Sequence, residues 1–325
     1  MRLELQIALA IALDLLLGDP ARLFHPVTGV ARLGLALEGP LRWMVPWPRA
    51  AGGLLVVTVL AVSVGLVALL LVGAGELHPL ARDLLSVLVL YTCFAARGLS
   101  AHAGRVYRGL VAGDLPAARE AVSLLVGRDT RQMDEGEAAR AAVESVAENS
   151  SDAVVAPLLY AVVLGPLGAV AYKTANTLDS TFGYKNERYR QFGWASARLD
   201  DLLNLVPARL TAAVIICAAP LLRLSAGRAA RVYLRDRQRH PSPNGGHPEA
   251  AMAGALGVRL GGENRYGERV EQRPFLGDEC EPLGARHLKL AIRLMWAAFL
   301  LAAVIGLASR WLVVTFAAQP GRWPW

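Results

Sequence analysis

The sequence predicts an all-α, polytopic helical membrane protein with broken or re-entrant helices and large cytoplasmic polar loops. Three observations carry this expectation. The 325 residues are 54% hydrophobic and only 19% charged, with a mean hydropathy of +0.37, which is too apolar for an ordinary soluble enzyme. Residues 50–75, "AAGGLLVVTVLAVSVGLVALLLVGAG", exceed the roughly 20 apolar residues that cross a hydrocarbon layer as a helix. The net charge of +7 is mostly Arg beside apolar runs, as the positive-inside rule requires of cytoplasmic loops. No basic stripe interleaved with aromatics is present, so nucleic acid is set aside as a partner.

Residues 3–17 open the chain as an apolar helix. Glu4 and Asp14 interrupt its core and no small-x-small cleavage site follows, so it reads as a retained helix rather than a signal peptide. Next comes 50–75, then 80–96, whose apolar part, 84–96, is short unless it extends through Arg82 and Asp83. The runs 153–171, 203–222 and 290–316 follow, the last long enough to span if Arg310 snorkels or is paired. Polar segments 18–49, 97–152, 172–202 and 223–289 lie between them. If all six runs cross, 172–202 falls on the side opposite to the other three. Pro157 and "GPLG" at 165–168 interrupt the fourth run, and Pro207, Arg209 and Pro220 the fifth. Either can therefore be broken, re-entrant or buried in protein. The four-span arrangement is preferred, because one site built from several loops must lie on one face or at a shared depth. No repeat or low-complexity linker divides the chain. It reads as a single membrane-embedded domain, 1–325, with 97–152 and 223–289 as large cytoplasmic polar segments.

Cys93 and Cys217 lie in apolar runs and Cys280 stands alone in "GDECEPLG", which gives neither a CxxC pair nor a disulfide framework. The P-loop, H-E-x-x-H and G-x-S-x-G patterns are absent, which removes the usual support for soluble ATPase, zinc protease and serine hydrolase chemistry.

Four polar clusters remain. Glu144, Glu148 and Asp152 recur every four residues and form one helical face, with Ser145 and Asn149 beside it. Like charges at that spacing repel, so the stripe calls for a cation or an Arg opposite, although a merely solvated acidic face is the alternative. Lys173, Asn176 and Asp179 step by three, and Lys185 and Asn186 follow in a loop. Lys suits phosphate oxygens, and Asp and Asn offer the hard oxygens Mg2+ prefers. A snorkelling Lys173 is the structural alternative. Arg198, Asp201 and Asn204 again step by three, with Asp200 adjacent, and Arg209 needs a partner inside its apolar run. Finally, Asn244, Gly245 and Gly246 form a loop before Pro248 and Glu249, and its backbone amides could approach an anion. Near the start, Asp14, Asp19 and His25 add minor candidates, His25 reading more readily as a packing residue than as a ligand.

At these residues the sequence resembles the membrane-bound adenosylcobinamide-phosphate synthases of cobalamin biosynthesis, the CobD/CbiB family. The resemblance lies in "DLLLGDP", "HPV", "GRDT", "VESVAENSSDAVVAPLLY", "YKTANTLDSTFGY", "RYRQFGWASARLDDLLNLVPARLT", "SPNGGHPEAAMAGALGVRLGG" and "FLGD", in that order, and covers nearly the whole chain. His247 stands where an aromatic such as Trp is expected, and Glu263 where Pro is usual. The resemblance implies an ATP-dependent amide ligase acting on adenosylcobyric acid and aminopropanol or its phosphate ester.

On that basis chemistry assigns roles. Glu144, Glu148, Asp152 and Asp179 suit Mg2+ on the nucleotide, with Glu148, Asp152 and Asp179 the expected metal ligands and one carboxylate left as base. Lys173, Lys185 and Arg198 suit phosphate, and Asn149 and Asn176 the orientation of the reacting amide. Asn186, Asp201, Asn244 and Glu249 complete the expected binding set. The implied setting is the cell membrane, with the active site facing the cytoplasm and other corrinoid-pathway enzymes as possible partners. A transporter and a non-catalytic membrane sensor remain the alternatives, the former calling for inverted repeats that the sequence does not display.

Overall fold

Apolar runs and polar segments alike fold into helices, with one hairpin among the described residues. The computed structural model describes residues 1–18, 26–184, 186–267 and 269–317, so Asp19, His25 and Lys185 lie outside the described residues. In chain order the elements are α1 (Leu3–Leu17), α2 (Pro26–Met44), α3 (Pro48–Leu77), α4 (Pro79–Cys93), α5 (Ala96–Val111), α6 (Leu115–Ser123) and α7 (Glu135–Asn149). A π-helical turn (Ser150–Val155) leads into α8 (Ala156–Phe182), then α9 (Trp194–Leu203) and α10 (Leu205–Ala218), which closes in a 3-10 turn (Ala219–Leu222). The remainder is α11 (Ala226–Asp236), α12 (Gly246–Leu256), β1 (Leu260–Tyr266), β2 (Arg269–Leu276) and α13 (Ala285–Ala317).

Among the described residues five helical stretches are long and apolar enough to cross a membrane: Pro48–Leu77, Pro79–Val111, Glu135–Phe182, Leu205–Leu222 and Ala285–Phe316. The 15 residues of α1 reach only about 22 Å at 1.5 Å per residue, short of the hydrocarbon thickness. The break expected at "GPLG" is present: Gly165 takes φ 70 and ψ −159 before Pro166, a conformation a side chain strongly disfavours. The run at 80–96 does extend through Arg82 and Asp83, since α4 begins at Pro79. Asp83 accepts a hydrogen bond from Gln6 Nε2 at 2.8 Å, and Gln6 Oε1 accepts one from Ser86. Arg310 is paired, with Glu4 at 3.3 Å, and donates to the Val162 carbonyl at 2.6 Å. Arg209 instead donates to the Leu205 carbonyl one turn back.

The chain divides into two compact units. The first comprises Met1–Phe94, Ala156–Leu203 and the chain from Ala303. Its core packs Leu41, Leu55, Val59, Leu178, Phe182 and Phe192, bringing α2, α3 and α8 against the turn that precedes α9. The turn lies so close to α3 that a Cβ on Gly52 would sit 1.8 Å from the Phe192 carbonyl oxygen. Beneath it the buried Glu38 carboxylate accepts from Arg188 at 2.8 and 3.0 Å and from Arg42 at 3.0 Å, while Arg42 also stacks over the Phe192 ring at 4.1 Å. Burial alone raises the Glu38 carboxyl, but Arg188 and Arg42 outweigh it and hold it below the usual range. Its stabilising charge is therefore complete above the ordinary Glu value of about 4.3 and is lost as pH falls through the lower folded-state value. Melting temperatures of the detergent-solubilised protein are expected to fall between pH 5 and 3 more steeply than those of Glu38→Gln; parallel curves would remove Glu38 as a contributor.

The second unit comprises Ala95–Val155 and Asn204–Ala302. A capping box, with Asp134 accepting from Glu137 N and Glu137 reaching back to Asp134 N, starts α7. Small residues let α12 pack tightly on α11: a Cβ on Gly254 would meet Ala229 Cα at 2.7 Å. The hairpin was not expected from the sequence. Its strands, "LGGENRY" and "RVEQRPFL", lack clean apolar alternation, and they pair antiparallel with a bulge between Leu260 and Gly262. Gly261 sits at φ 89, where a Cβ would also meet the Pro274 oxygen at 2.3 Å, so only glycine fits. At the same end of the hairpin, fully buried Asp236 accepts from Gly277 N at 2.9 Å and pairs with Arg235 at 2.8 Å.

Candidate functional site

The acidic stripe of α7 meets its cations, as like charges at that spacing require. Buried Glu144 pairs with Arg128 at 2.7 Å and Arg140 at 3.3 Å, and accepts from the Gly261 amide at 2.8 Å. Arg128 also donates to Asn264 Oδ1, and Arg140 to the Gly261 and Glu263 carbonyls. Glu144 was expected to hold metal or act as base. The structure engages its carboxylate in locking the hairpin onto α7 instead.

Around this network lie two polar cavities. The smaller, roughly 150 Å3, is lined by Arg128, Glu144, Glu148, Asn149, Glu249 and Arg273. The larger, roughly 380 Å3, is lined by Arg131, Gln132, Arg140, Glu263, Asn264 and Arg265 among others. Glu148 is exposed and Asn149 half-buried, the latter donating to the Ser145 carbonyl at 2.9 Å. Glu249, expected among the phosphate-binding residues, is 2% exposed. Burial pushes its carboxyl well above the usual range, Glu144 and Glu148 push the same way, and Arg273 and Arg128 oppose them. Asp152 falls in the π-helical turn, half-buried. That turn is wider than an α-turn, so the four-residue step no longer carries Asp152 onto the face of Glu144 and Glu148.

The loop at Asn244 differs from the anion cradle expected of it. Ser242 Oγ accepts from both Asn244 N at 3.2 Å and Gly245 N at 3.1 Å, so these amides are used internally. Gly245 makes room for the His240 ring, a Cβ there lying 3.0 Å from Cε1, whereas a Cβ on Gly246 would meet the Arg237 carbonyl oxygen at 2.4 Å and His240 Cβ at 2.6 Å. Asn244 itself is buried. His247 is buried and bonds Tyr233 Oη through Nδ1 at 3.1 Å. Burial, with Arg209 and Arg237 adding to it, lowers the His247 pKa to about 4, so the ring is neutral.

Lys173, Asn176, Asp179, Asn186, Arg198 and Asp201 belong to the first unit. Asn176 Nδ2 donates to Asp200 Oδ1 at 3.2 Å. Arg198 pairs loosely with Asp201 at 3.8 Å on the exposed side of α9. Asn186 uses its side chain to accept from Tyr189 N at 2.9 Å, capping the turn. Lys173 lines an apolar cavity of roughly 300 Å3 with Leu33, Leu66 and Thr177 among its neighbours. Asp179 is half-buried and folds back over Gly183, where a Cβ would lie 1.9 Å from its Oδ1.

Among the described residues no group of three or more His, Cys, Asp or Glu is gathered to hold a metal ion. Of the expected ligands, Glu148 and Asp152 share the second unit and Asp179 lies in the first. The donor chemistry of the smaller cavity still fits Mg2+ that arrives on a nucleotide, because such an ion takes one or two protein oxygens and draws the rest from phosphate and water. Sequence reading missed Arg128, Arg140, His240 and Arg273. The "GRDT" stretch contains Arg128, but its burial becomes visible only once Glu144 and Asn264 are beside it.

A helical membrane protein whose second unit holds arginine- and glutamate-lined cavities is the class these observations define. The family described as CobD/Cbib protein matches residues 7–295, and the chain belongs to it. It is 50% identical over 300 residues to the cobalamin biosynthesis protein CobD of Geobacter metallireducens, covering 91% of this chain and 94% of that protein. Identity to the CobD of Pelobacter propionicus is 46% over 303 residues, covering 93% and 94%. With the cobalamin biosynthesis protein CbiB of Salmonella typhi it is 42% over 306 residues, covering 93% and 96%. No solved structure matches.

Proposed function

We propose that the chain acts in cobalamin biosynthesis as an ATP-dependent amide ligase. It would join aminopropanol, or its phosphate ester, to the f-side propionate of adenosylcobyric acid. The observation that carries this is the smaller cavity of the second unit, which sets Glu148, Asn149 and Glu249 beside Arg128 and Arg273 in a chain of this family. A carboxylate does not condense with an ammonium in neutral water. The simplest activation has its oxygen attack the γ-phosphorus of ATP, releasing ADP and leaving an acyl phosphate. The amine nitrogen then attacks the acyl carbon, phosphate departs, and the nitrogen's proton passes to a base.

Arg128 and Arg273 would balance phosphate charge. Glu148 and Asn149 would hold Mg2+, which supplies Lewis-acid polarisation of the phosphoryl oxygens. At roughly 150 Å3 the cavity is below the range of about 300–1,000 Å3 that encloses drug-sized ligands, so it suits a phosphate end or a small amine. The larger cavity, roughly 380 Å3, is of nucleotide size. Lys173, Lys185 and Arg198 remain assigned to phosphate, Asn176 to the reacting amide and Asp179 to Mg2+ on the nucleotide. Protein purified in detergent and given ATP, Mg2+, adenosylcobyric acid and either amine is expected to yield ADP and amidated corrinoid in equal amounts. ADP without amide, or neither product, overturns the reading.

The same reading places the protein in the cell membrane with 97–152 and 223–289 in the cytoplasm, where other corrinoid-pathway enzymes could approach. Exposed Cys280 provides a native probe. In a Cys93→Ser, Cys217→Ser background, a membrane-impermeant maleimide is expected to label inverted vesicles and to spare right-side-out ones. The reverse pattern would place that segment outside.

A further inference from the structure

We propose that Glu249 is the base that takes the amine's proton, and that His240 is the positioning residue that aims it. The inference rests on the ligase reading above and names the proton acceptor within it.

Glu249 stands in the first turn of α12, lines the smaller cavity, and lies 3.5 Å from His240 Nε2. The His240 side chain is 7% exposed, and its Nε2 is buried without a hydrogen-bond partner. The other ring nitrogen, Nδ1, accepts from the Ser242 backbone N–H at 3.1 Å. An imidazole whose Nδ1 accepts must carry its proton on Nε2, and that nitrogen stands 3.5 Å from the Glu249 carboxylate, within reach of a bond that tightens when substrate is bound. The ring keeps that pose because Gly245 leaves space for it and because Ser242 Oγ closes the loop on itself. A residue that orients the catalytic group through a fixed tautomer is the arrangement acid–base sites use repeatedly.

The charges facing Glu249 are Glu144 and Glu148 from α7, Arg128 from the preceding loop and Arg273 from β2. His240 is faced by Arg273, Glu144 and Glu271. Burial raises the proton affinity of Glu249, and burial with Arg273 lowers the His240 pKa to about 4, so the imidazole stays neutral and serves only as a donor. A carboxyl lifted out of its normal range is a better acceptor for an amine proton than an ordinary carboxylate, because its affinity lies nearer that of the nitrogen. As the amine attacks the acyl carbon, the N–H bond breaks, its electron pair stays on nitrogen, and the proton moves to a Glu249 oxygen. It leaves to water after phosphate has departed.

The test compares wild type, Glu249→Gln, His240→Ala and His240→Gln, all as full-length protein in detergent with ATP, Mg2+, adenosylcobyric acid and aminopropanol phosphate. Glu249→Gln keeps the side chain's shape but cannot accept a proton, and its melting temperature is measured alongside turnover to show that it folds. Its turnover is expected to fall about 10²–10⁴-fold at pH 7, and the deficit to shrink as pH approaches the amine's own pKa. His240→Ala is expected to lose about tenfold in kcat with little change in KM, and His240→Gln, whose amide N–H can replace the Nε2–H, to recover most of it. Glu249→Gln within threefold of wild type, or a deficit constant with pH, overturns the assignment while leaving the ligase intact. If Glu249→Gln does not fold, equal turnover of His240→Ala and wild type overturns it. A wild-type protein that forms no amide removes the ligase reading, and this inference with it.

Discussion

Replacing Arg128 with alanine is expected to destabilise the protein by about 3 kcal/mol, at the lower end of the range for stripping one partner from a buried ion pair. Glu144 would lose its 2.7 Å partner and Asn264 would lose a donor. Arg140 at 3.3 Å and the Gly261 amide would remain, which is why the upper end is not reached. For a domain of this size about 3 kcal/mol corresponds to a melting temperature lower by roughly 6–12 °C, measurable by thermal unfolding in detergent. Arg128→Lys is not expected to rescue, because one ammonium cannot reproduce a guanidinium fork that reaches Glu144 and Asn264 together. A lysine variant of wild-type stability would show that the network contributes charge alone.

The second large effect concerns the first unit. Asp179→Ala is expected to reduce amide formation at least about 100-fold, the scale on which removing a group that handles charge or protons in the reaction acts, while the protein stays in the membrane fraction. Asp179 is half-buried and seated over Gly183, and its neighbour one turn back, Asn176, is oriented by Asp200. Turnover, melting temperature and membrane content measured together separate the cases. Retained turnover removes Asp179 from the chemistry, and turnover lost in step with stability makes it a structural residue.

The helical membrane architecture was legible because apolar runs of spanning length admit few alternatives, and the break at Gly165 because a Gly-Pro pair cannot continue a regular helix. The hairpin was not legible. Its strands are held by Arg128, Arg140 and Glu144, which are distant in sequence, rather than by an alternating apolar face. The acidic stripe was visible as a cluster, but Glu144 and Glu148 have opposite exposure despite sharing one face, and no spacing rule separates a buried salt-bridge member from an exposed ligand candidate. Asp152 left the stripe through a π-helical turn that nothing in "SSDAVV" announces. The glycine pair at 245–246 was read as an anion cradle and proves to be room for an imidazole and the Arg237 carbonyl. Glycine marks a close approach, and only coordinates say of what.

The attachment of the hairpin has a consequence for motion. A strand pair fastened to α7 by ion pairs and amide contacts, with Leu260 and Leu276 its buried apolar side chains, can detach at a cost set by those contacts. Sub-global opening of this kind belongs to the weak end of a protein's local stabilities. Both polar cavities, which the hairpin helps to line, would open with it while the helices of the same unit hold still.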